Sequence, residues 1–357
     1  MGKRRVSDKL EIGFYFTIFF EILVFCTIVL SGCGQGQEKA VEQKIGSQEP
    51  LNVVATIFPY YDFTRQIAGD MVNLELIVPA GMDSHSFEPT PADMRKIEEA
   101  DVIICNGGMM EHWVSQVLDA VDVSDKSLVV MMDYVEVLEE EIVEGMEDGH
   151  LHVHENLLNQ DIDRKYHEDF HSSMHNHEDE VEYDEHIWTS PVNAMTCTAV
   201  IAQAFVQADP SHKEIYEERL ENYQGELEVL HQKFQKVAAN KKRNTVIVGD
   251  KFPFRYLAEE YGFDYHAAFS GCSTDTEPSA KTIAYLIDKA RDEQIPVVYY
   301  LELSSHRVSE IIGEETGAMP LLLHSCHNVT RREFEEGITY IELMEQNIEN
   351  LRKGLDE

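Results

Sequence analysis

Basic residues are scarce in this chain of 357 residues, which has 29 Lys and Arg against 66 Asp and Glu and a formal net charge of −37. Such an excess of negative charge excludes nucleic acid as a partner, because phosphate backbones are bound through Lys and Arg. Much of the excess is local: the segment 136–186 holds 18 acidic residues against only Arg164 and Lys165. The remainder of the chain is therefore only moderately acidic.

Cysteine is also sparse, with six residues in the whole chain. Cys26 and Cys33 lie near the N-terminus, and Cys105 and Cys197 lie in apolar, core-like patterns. Only Cys272 and Cys326, both in loop-like stretches, remain as a candidate disulfide pair outside the cytoplasm. A Gly-x-Ser-x-Gly nucleophile elbow is absent from the sequence, so nothing indicates a serine hydrolase of that type.

The N-terminus is typical of a secretion signal. Lys3, Arg4 and Arg5 precede an apolar run that ends in Leu30-Ser-Gly-Cys33, and this ending matches the lipobox of bacterial lipoproteins. We therefore predict a signal peptide over 1–32, lipid attached to Cys33, and a flexible tether over 33–50. The mature protein would be extracytoplasmic, anchored to the outer face of the cell membrane. The alternative is an uncleaved transmembrane anchor.

Seven of the sixteen histidines fall within a span of 28 residues inside the acidic segment. They are His150, His152, His154, His167, His171, His175 and His177. Neutral imidazole is the commonest side-chain metal ligand, and His-rich tracts are typical of metal handling. The alternative is a solvated charge run that is merely rich in histidine. The segment 136–186 has no sustained periodicity, so we predict a disordered insert.

Elsewhere, short β-rich runs alternate with amphipathic helical patterns, which is typical of an α/β protein. The pattern predicts two Rossmann-like lobes, one over 51–209 that contains the insert and one over 243–357. Between them, 210–242 carries a continuous apolar stripe with helical spacing. A long rigid helix of roughly 40 Å, at 1.5 Å per residue, would join the lobes.

Four motifs occur in the same order as in a known family. They are His85-Ser-Phe-Glu-Pro with the downstream Asp101 to Gly107 run, Asp184-Glu-His-Ile-Trp188, Phe254-Arg-Tyr-Leu-Ala-Glu-Glu-Tyr-Gly262, and Gly337-Ile-Thr-Tyr-Ile-Glu-Leu-Met344. In these motifs the chain resembles the zinc/manganese (TroA-like) solute-binding lipoproteins of ABC importers. The resemblance implies a monomer that binds one metal between its lobes and works with a membrane permease and its ATPase.

The resemblance also implies a ligand set. His85, before Ser-Phe-Glu-Pro, and His186, before Ile-Trp, match the two histidines of the N-terminal lobe. The third ligand position departs from the family pattern, because Lys251 stands near it and a Lys ammonium has no lone pair for a cation. Asp250 is the expected substitute, or it caps the following helix. For the fourth position we predict His324, with His327 as the alternative and Cys326 after it.

Three imidazoles and one carboxylate would suit Zn²⁺, whereas Mn²⁺, the alternative, prefers more oxygen ligands. The sequence therefore predicts a protein that captures Zn²⁺ and delivers it to a permease, with the His-rich tract as an auxiliary collector of metal. An adhesin that also binds metal is one alternative. A zinc-dependent hydrolase is another, although its metal needs an open position for water that a four-ligand site does not leave.

Overall fold

A computed structural model describes residues 49–146, 182–273 and 277–356. The predicted signal peptide, Cys33, most of the tether and all seven histidines of the tract lie outside these ranges. Within the described part, no helix combines the length and apolar character needed to cross a membrane. The positions of the predicted domain boundaries remain predictions.

The first lobe is built on a parallel sheet of four strands in the order β2-β1-β3-β4. The strands are β1 (Leu51–Ala55), β2 (Val72–Leu76), β3 (Val102–Cys105) and β4 (Ser127–Val130). Helices α1 (Phe58–Ala68), α2 (Pro91–Glu99) and α3 (His112–Ala120) connect them. All four residues of β3 are buried, as expected for a central parallel strand with helices on both faces.

The second lobe repeats this architecture, with a parallel sheet in the order β6-β5-β7-β8. Its strands are β5 (Thr245–Phe252), β6 (Asp264–Ser270), β7 (Val297–Tyr300) and β8 (Met319–Leu322). Helices α6 (Arg255–Tyr261), α7 (Ala280–Asp292), α8 (Arg307–Thr316) and α9 (Arg331–Glu336) accompany it. The short α9 was not predicted, and it begins with a capping box formed by Thr330 and Glu333.

Three further helices complete the body: α4 (Pro191–Ala208), α5 (Lys213–Asn240) and α10 (Tyr340–Leu355). The apolar stripe of α5 contacts both lobes. Near its start Tyr223 lies 6.3 Å from Phe63 of α1, and near its end Phe234 stacks at 5.1 Å on Tyr261 of α6. The structure thus confirms two α/β lobes joined by a long helix, because the helix buries side chains in each.

β5 runs from Thr245 to Phe252, and its pairing with β6 shifts register between Val248 and Lys251. Asp250 therefore lies within an irregular part of β5 rather than beyond its end. The candidate Cys272–Cys326 disulfide is not formed, since both cysteines are free. Cys326 is buried with its thiol towards the His324 carbonyl, and the Cys272 amide faces Glu140.

Candidate metal centre

His85 lies in a short 3₁₀ turn, Ser84–Ser86, which follows the loop after β2. Asp83 caps the turn, with a carboxylate oxygen that accepts a hydrogen bond from the His85 amide at 3.0 Å. The chain leaves β2 at the carboxyl edge of the sheet, where open α/β sheets bind ligands. The imidazole of His85 is thereby presented at this edge while remaining partly exposed.

His186 is 2% exposed and lies immediately before a 3₁₀ turn that leads into α4. Its segment is held from both lobes. The Glu185 carboxylate accepts hydrogen bonds from the amides of Met109 and Met110 in the first lobe. The hydroxyl of Tyr256, on α6 of the second lobe, donates to the Asp184 carbonyl at 2.7 Å. The backbone that carries His186 is therefore fixed before any metal binds.

His327 comes from the loop that follows β8. Asn347 of α10 accepts from the His324 amide and donates to the His324 carbonyl, both at 2.7 Å, which holds the start of this loop. Cys326 has a φ of 60°, so the chain turns sharply there. The turn places the His327 ring 5.3 Å from the ring of Trp188, a fully buried side chain.

The three imidazoles converge. Each offers one ring nitrogen, and these atoms all lie within 4.8 Å of one another. The ring centroids are 6.4 Å apart for His85 and His186, 5.9 Å for His85 and His327, and 5.8 Å for His186 and His327. They line a cavity of about 400 Å³ whose walls come from both lobes. Three neutral nitrogens at this spacing can coordinate one divalent ion.

Hydrogen bonds orient two of these rings. Nδ1 of His186 lies 3.2 Å from Oδ1 of the buried Asp184, an arrangement that leaves Nε2 free to bind metal. Nε2 of His327 lies 2.6 Å from the hydroxyl of Ser84, which is 1% exposed. Partners of this kind fix the tautomer of a metal-binding histidine and make it a better ligand.

The protonation of the three rings differs. Burial, together with the neighbouring His186 and Lys251, lowers the pKa of His85 to about 4. Burial and the same neighbours, with His85, hold the pKa of His327 well below its usual value. Burial also acts to lower the pKa of His186, but the Asp184 carboxylate outweighs it, and the net pKa is raised. His85 and His327 are therefore neutral at pH 7, as metal ligands must be.

Asp250 and Lys251 line the same cavity but do not belong to the group of converging ligand atoms. Oδ1 of Asp250 accepts a hydrogen bond from the Lys251 amide at 2.9 Å. Asp250 does not cap the following helix, since the N-cap of α6 is Phe254. Lys251 occupies the region in which the resemblance placed the third ligand.

His324, the predicted fourth ligand, lies outside the group, which contains the alternative His327 instead. Nδ1 of His324 accepts a hydrogen bond from the Cys326 amide at 2.9 Å, and the ring is 1% exposed. The Cys326 thiol does not belong to the group either, and it faces the His324 carbonyl. Within 49–146, 182–273 and 277–356, no other set of His, Cys, Asp or Glu side chains converges in this way.

Asp184 and Ser84 were not singled out from the sequence, although both contact a ligand candidate. Asp184 was visible only as the first letter of the Asp-Glu-His-Ile-Trp motif, and its position two residues before His186 is the signal that marks it. No sequence signal marked Ser84, because its contact with His327 joins residues 243 positions apart.

Comparison with known proteins found the same fold. The profile of the family described as ZnuA, the periplasmic component A of zinc-uptake complexes, matches residues 53–354. The high-affinity zinc uptake system protein ZnuA of Bacillus subtilis is 29% identical over 334 residues, which are 94% of this chain and 96% of that protein. The zinc-binding lipoprotein AdcA of Streptococcus pneumoniae is also 29% identical, but the match spans only 60% of its length.

Solved structures agree. The metal-dependent lipoprotein YcdH of Bacillus subtilis superposes with a TM-score of 0.67 at 28% identity, covering 86% of this chain and 100% of that one. Zn(II)-bound AdcA of Streptococcus pneumoniae gives 0.66 at 28% identity, covering 86% of this chain and 58% of that one. A laminin-binding adhesin of Streptococcus agalactiae gives 0.67, covering 85% of this chain and 99% of that one, but at 21% identity it shows the fold alone.

Proposed function

Because this chain belongs to the family of ZnuA, the periplasmic component A of zinc-uptake complexes, we propose that it captures Zn²⁺ between its lobes and delivers it to a membrane permease. His85, His186 and His327 bind the ion. The observation that carries this proposal is the convergence of three imidazole nitrogens, within 4.8 Å of one another, at a cavity lined by both lobes.

The donor set favours zinc over manganese. All three converging atoms are imidazole nitrogens, which suit a four-coordinate Zn²⁺ site. Mn²⁺ prefers carboxylate, carbonyl and water oxygens, and Asp250, the only carboxylate we assigned as a ligand, lies outside the group. The neighbouring solved structure of AdcA contains Zn(II), which supports the same choice of cargo.

The site leaves Zn²⁺ one position beyond the three histidines, which is also the arrangement of catalytic zinc. The family nevertheless belongs to a transport system, and the chain is not an enzyme. Incomplete coordination suits transport, because an ion held by three ligands can be handed on by replacing them one at a time. A partner permease with its ATPase would dock against both lobes to receive it.

Lipid on Cys33 would keep the protein at the outer face of the membrane, within reach of that permease. The lipid anchor is supported by the lipobox and by the lipoprotein names of two relatives, and the protein would act as a monomer. The His-rich tract, as an auxiliary collector, would raise the local concentration of Zn²⁺ near the cavity. An adhesive role finds support only in a shared fold, so transport remains the function we propose.

The direct test is calorimetric titration of Zn²⁺ in the presence of a competing chelator that masks weak sites. We expect one tight site in the unmodified protein and loss of that site in His85→Ala. His112→Ala is the control, since this histidine begins α3 and lies outside the converging group. Tight binding that survives His85→Ala with its stoichiometry intact would contradict the proposal.

A further inference from the structure

Lys251 is an unusual residue to find beside a metal site, because its side chain is a cation. It lies in the irregular part of β5 and lines the same cavity as the three histidines. Its charge acts on two of them, since it contributes to the lowered pKa of both His85 and His327. Among the residues that the structure describes, no carboxylate oxygen lies within 4.0 Å of its ammonium group. Within the described part of the chain, the Lys251 ammonium therefore has no carboxylate partner beside the proposed metal site.

From this juxtaposition we propose that the site binds a small monoanion together with the metal. The anion occupies the fourth position on Zn²⁺ and pairs with the Lys251 ammonium. This inference rests on the proposed function, because it needs the metal at His85, His186 and His327. Lys251 then stands where the family pattern has a protein ligand. Its role is to position a ligand that comes from solution.

The charge balance supports an anion rather than water. Three neutral imidazoles leave the full +2 charge of the ion, Lys251 adds +1 in a partly buried cavity, and the Asp184 carboxylate behind His186 offsets only one of these charges. Charges removed from water need a partner. A monoanion between the two cations reduces the local charge and can accept a charge-assisted hydrogen bond from the ammonium.

The acidic side chains that the structure describes around the cavity are engaged with other groups or lie outside the converging group. The Asp83 carboxylate accepts from the His85 amide, and Asp250 accepts from the Lys251 amide. The Glu302 carboxylate accepts from the amide and hydroxyl of Ser325. Glu277 is exposed and does not join the converging group. Among the described residues, three ligands converge, and the fourth position on the metal is open to a ligand from solution.

Co²⁺ makes this testable, because its visible absorption reports coordination number and ligand type whereas Zn²⁺ has no such signal. The purified protein is loaded with one equivalent of Co²⁺ and titrated with sodium thiocyanate. Sodium perchlorate, which coordinates metals poorly, keeps the ionic strength constant. We expect a saturable spectral change in the unmodified protein. In Lys251→Met, of similar length and without charge, the thiocyanate affinity falls by about tenfold. Lys251→Arg, which keeps the charge, retains most of the affinity.

The outcomes separate the inference from the function on which it rests. If thiocyanate leaves the Co²⁺ spectrum unchanged, or if Lys251→Met binds it as tightly as the unmodified protein, the anion site is wrong. If Asp250→Asn alone abolishes the visible absorption typical of four-coordinate Co²⁺, Asp250 is the fourth ligand and the inference also fails. If instead His85→Ala and His327→Ala leave the spectrum intact, the metal is elsewhere and the proposed function fails. Circular dichroism of each metal-free variant confirms that it has folded.

Discussion

Asp184 holds His186 through two contacts made by a single oxygen. Its Oδ1 accepts a hydrogen bond from the His186 amide at 2.8 Å and lies 3.2 Å from Nδ1 of the ring. Both residues are buried, so neither contact competes with bulk water. Gly271 packs against the pair, where a Cβ would come within 2.9 Å of Oδ2 of Asp184. The ring therefore has one orientation, with Nε2 towards the cavity.

We predict that Asp184→Asn weakens Zn²⁺ binding by about 10- to 100-fold, the usual effect of removing a carboxylate behind a metal-binding histidine. The amide is isosteric, so the fold is retained and the loss comes from a less basic and less well oriented imidazole. Chelator competition measures the affinity. Asp83→Asn is the matched control, because Asp83 contacts only the backbone amide of His85. Equal effects from both variants would show that the ring contact of Asp184 is unimportant.

We expect His327→Ala to abolish tight Zn²⁺ binding. We expect His324→Ala to retain a tight Zn²⁺ site whose affinity can still be measured. The first change removes one of three converging nitrogens, whereas the second removes a ring that accepts a hydrogen bond from the Cys326 amide. His324→Ala will mainly lower the free energy of unfolding, by about 2 kcal/mol, because a buried side chain is lost. Titration calorimetry and urea unfolding of the same two variants distinguish these effects. The reverse pattern would restore His324 as the ligand.

Much of the fold could be predicted from the sequence alone. The apolar stripe over 210–242 predicted the long linking helix, which spans Lys213–Asn240. The motif resemblance identified His85 and His186 as ligands. Residues close to each of them in the sequence also hold them in position, so a local motif was enough to find them. The resemblance placed His324 ahead of His327 because His324 lies nearer the end of the strand that both residues follow. The choice between them depends on Asn347, which lies 23 residues after His324 and hydrogen-bonds its backbone amide and carbonyl. No local pattern contains that contact.

Gly108 is expected to tolerate no side chain. Its φ is +79°, and a Cβ would come within 2.4 Å of the Glu185 carboxyl carbon. We predict that Gly108→Ala lowers the free energy of unfolding by about 3 kcal/mol, from backbone strain and from displaced hydrogen bonds to the Met109 and Met110 amides. Zinc affinity should fall as well, since Glu185 precedes His186.

Gly81 provides the control for that experiment. Its φ is +85°, yet nothing lies within 4 Å of an added Cβ. Gly81→Ala therefore isolates the cost of the left-handed backbone, about 1 kcal/mol. Urea unfolding of the two metal-free variants gives the difference due to Glu185. If both cost the same, the close approach of Gly108 to Glu185 has no energetic consequence.

Glu111 gives a prediction about pH. Burial raises its pKa to about 7, opposed by hydrogen bonds from the Asn106 and Gly107 amides. Between its unfolded value near 4.5 and about 7 the folded state binds more protons than the unfolded state. Its contribution to stability is therefore present at low pH and lost as the pH rises through 7. Relative to Glu111→Gln, the metal-free protein should lose about 1–3 kcal/mol between pH 5 and pH 8.

The variant itself is the control in that comparison, because titrating groups that do not interact with Glu111 contribute equally to both proteins and cancel in the difference. Urea unfolding is measured for both at pH 5, 6, 7 and 8 with chelator present. A difference between the two proteins that stays constant with pH would show that the pKa of Glu111 is not raised in the folded state.

The His-rich tract can be removed without cutting the site. The chain on its two sides runs as antiparallel neighbours, with the Glu140 amide donating to the Glu182 carbonyl and the Asp184 amide to the Leu138 carbonyl, both at 2.9 Å. Deleting 148–178 should leave one tight Zn²⁺ site with unchanged affinity and remove the weak sites, since the tight site needs only His85, His186 and His327. Equilibrium dialysis gives the total stoichiometry, and chelator competition gives the tight affinity. A full-length variant with all seven tract histidines changed to Asn separates the loss of imidazoles from the loss of length. Disappearance of the tight site in that variant would place tight binding in the tract itself.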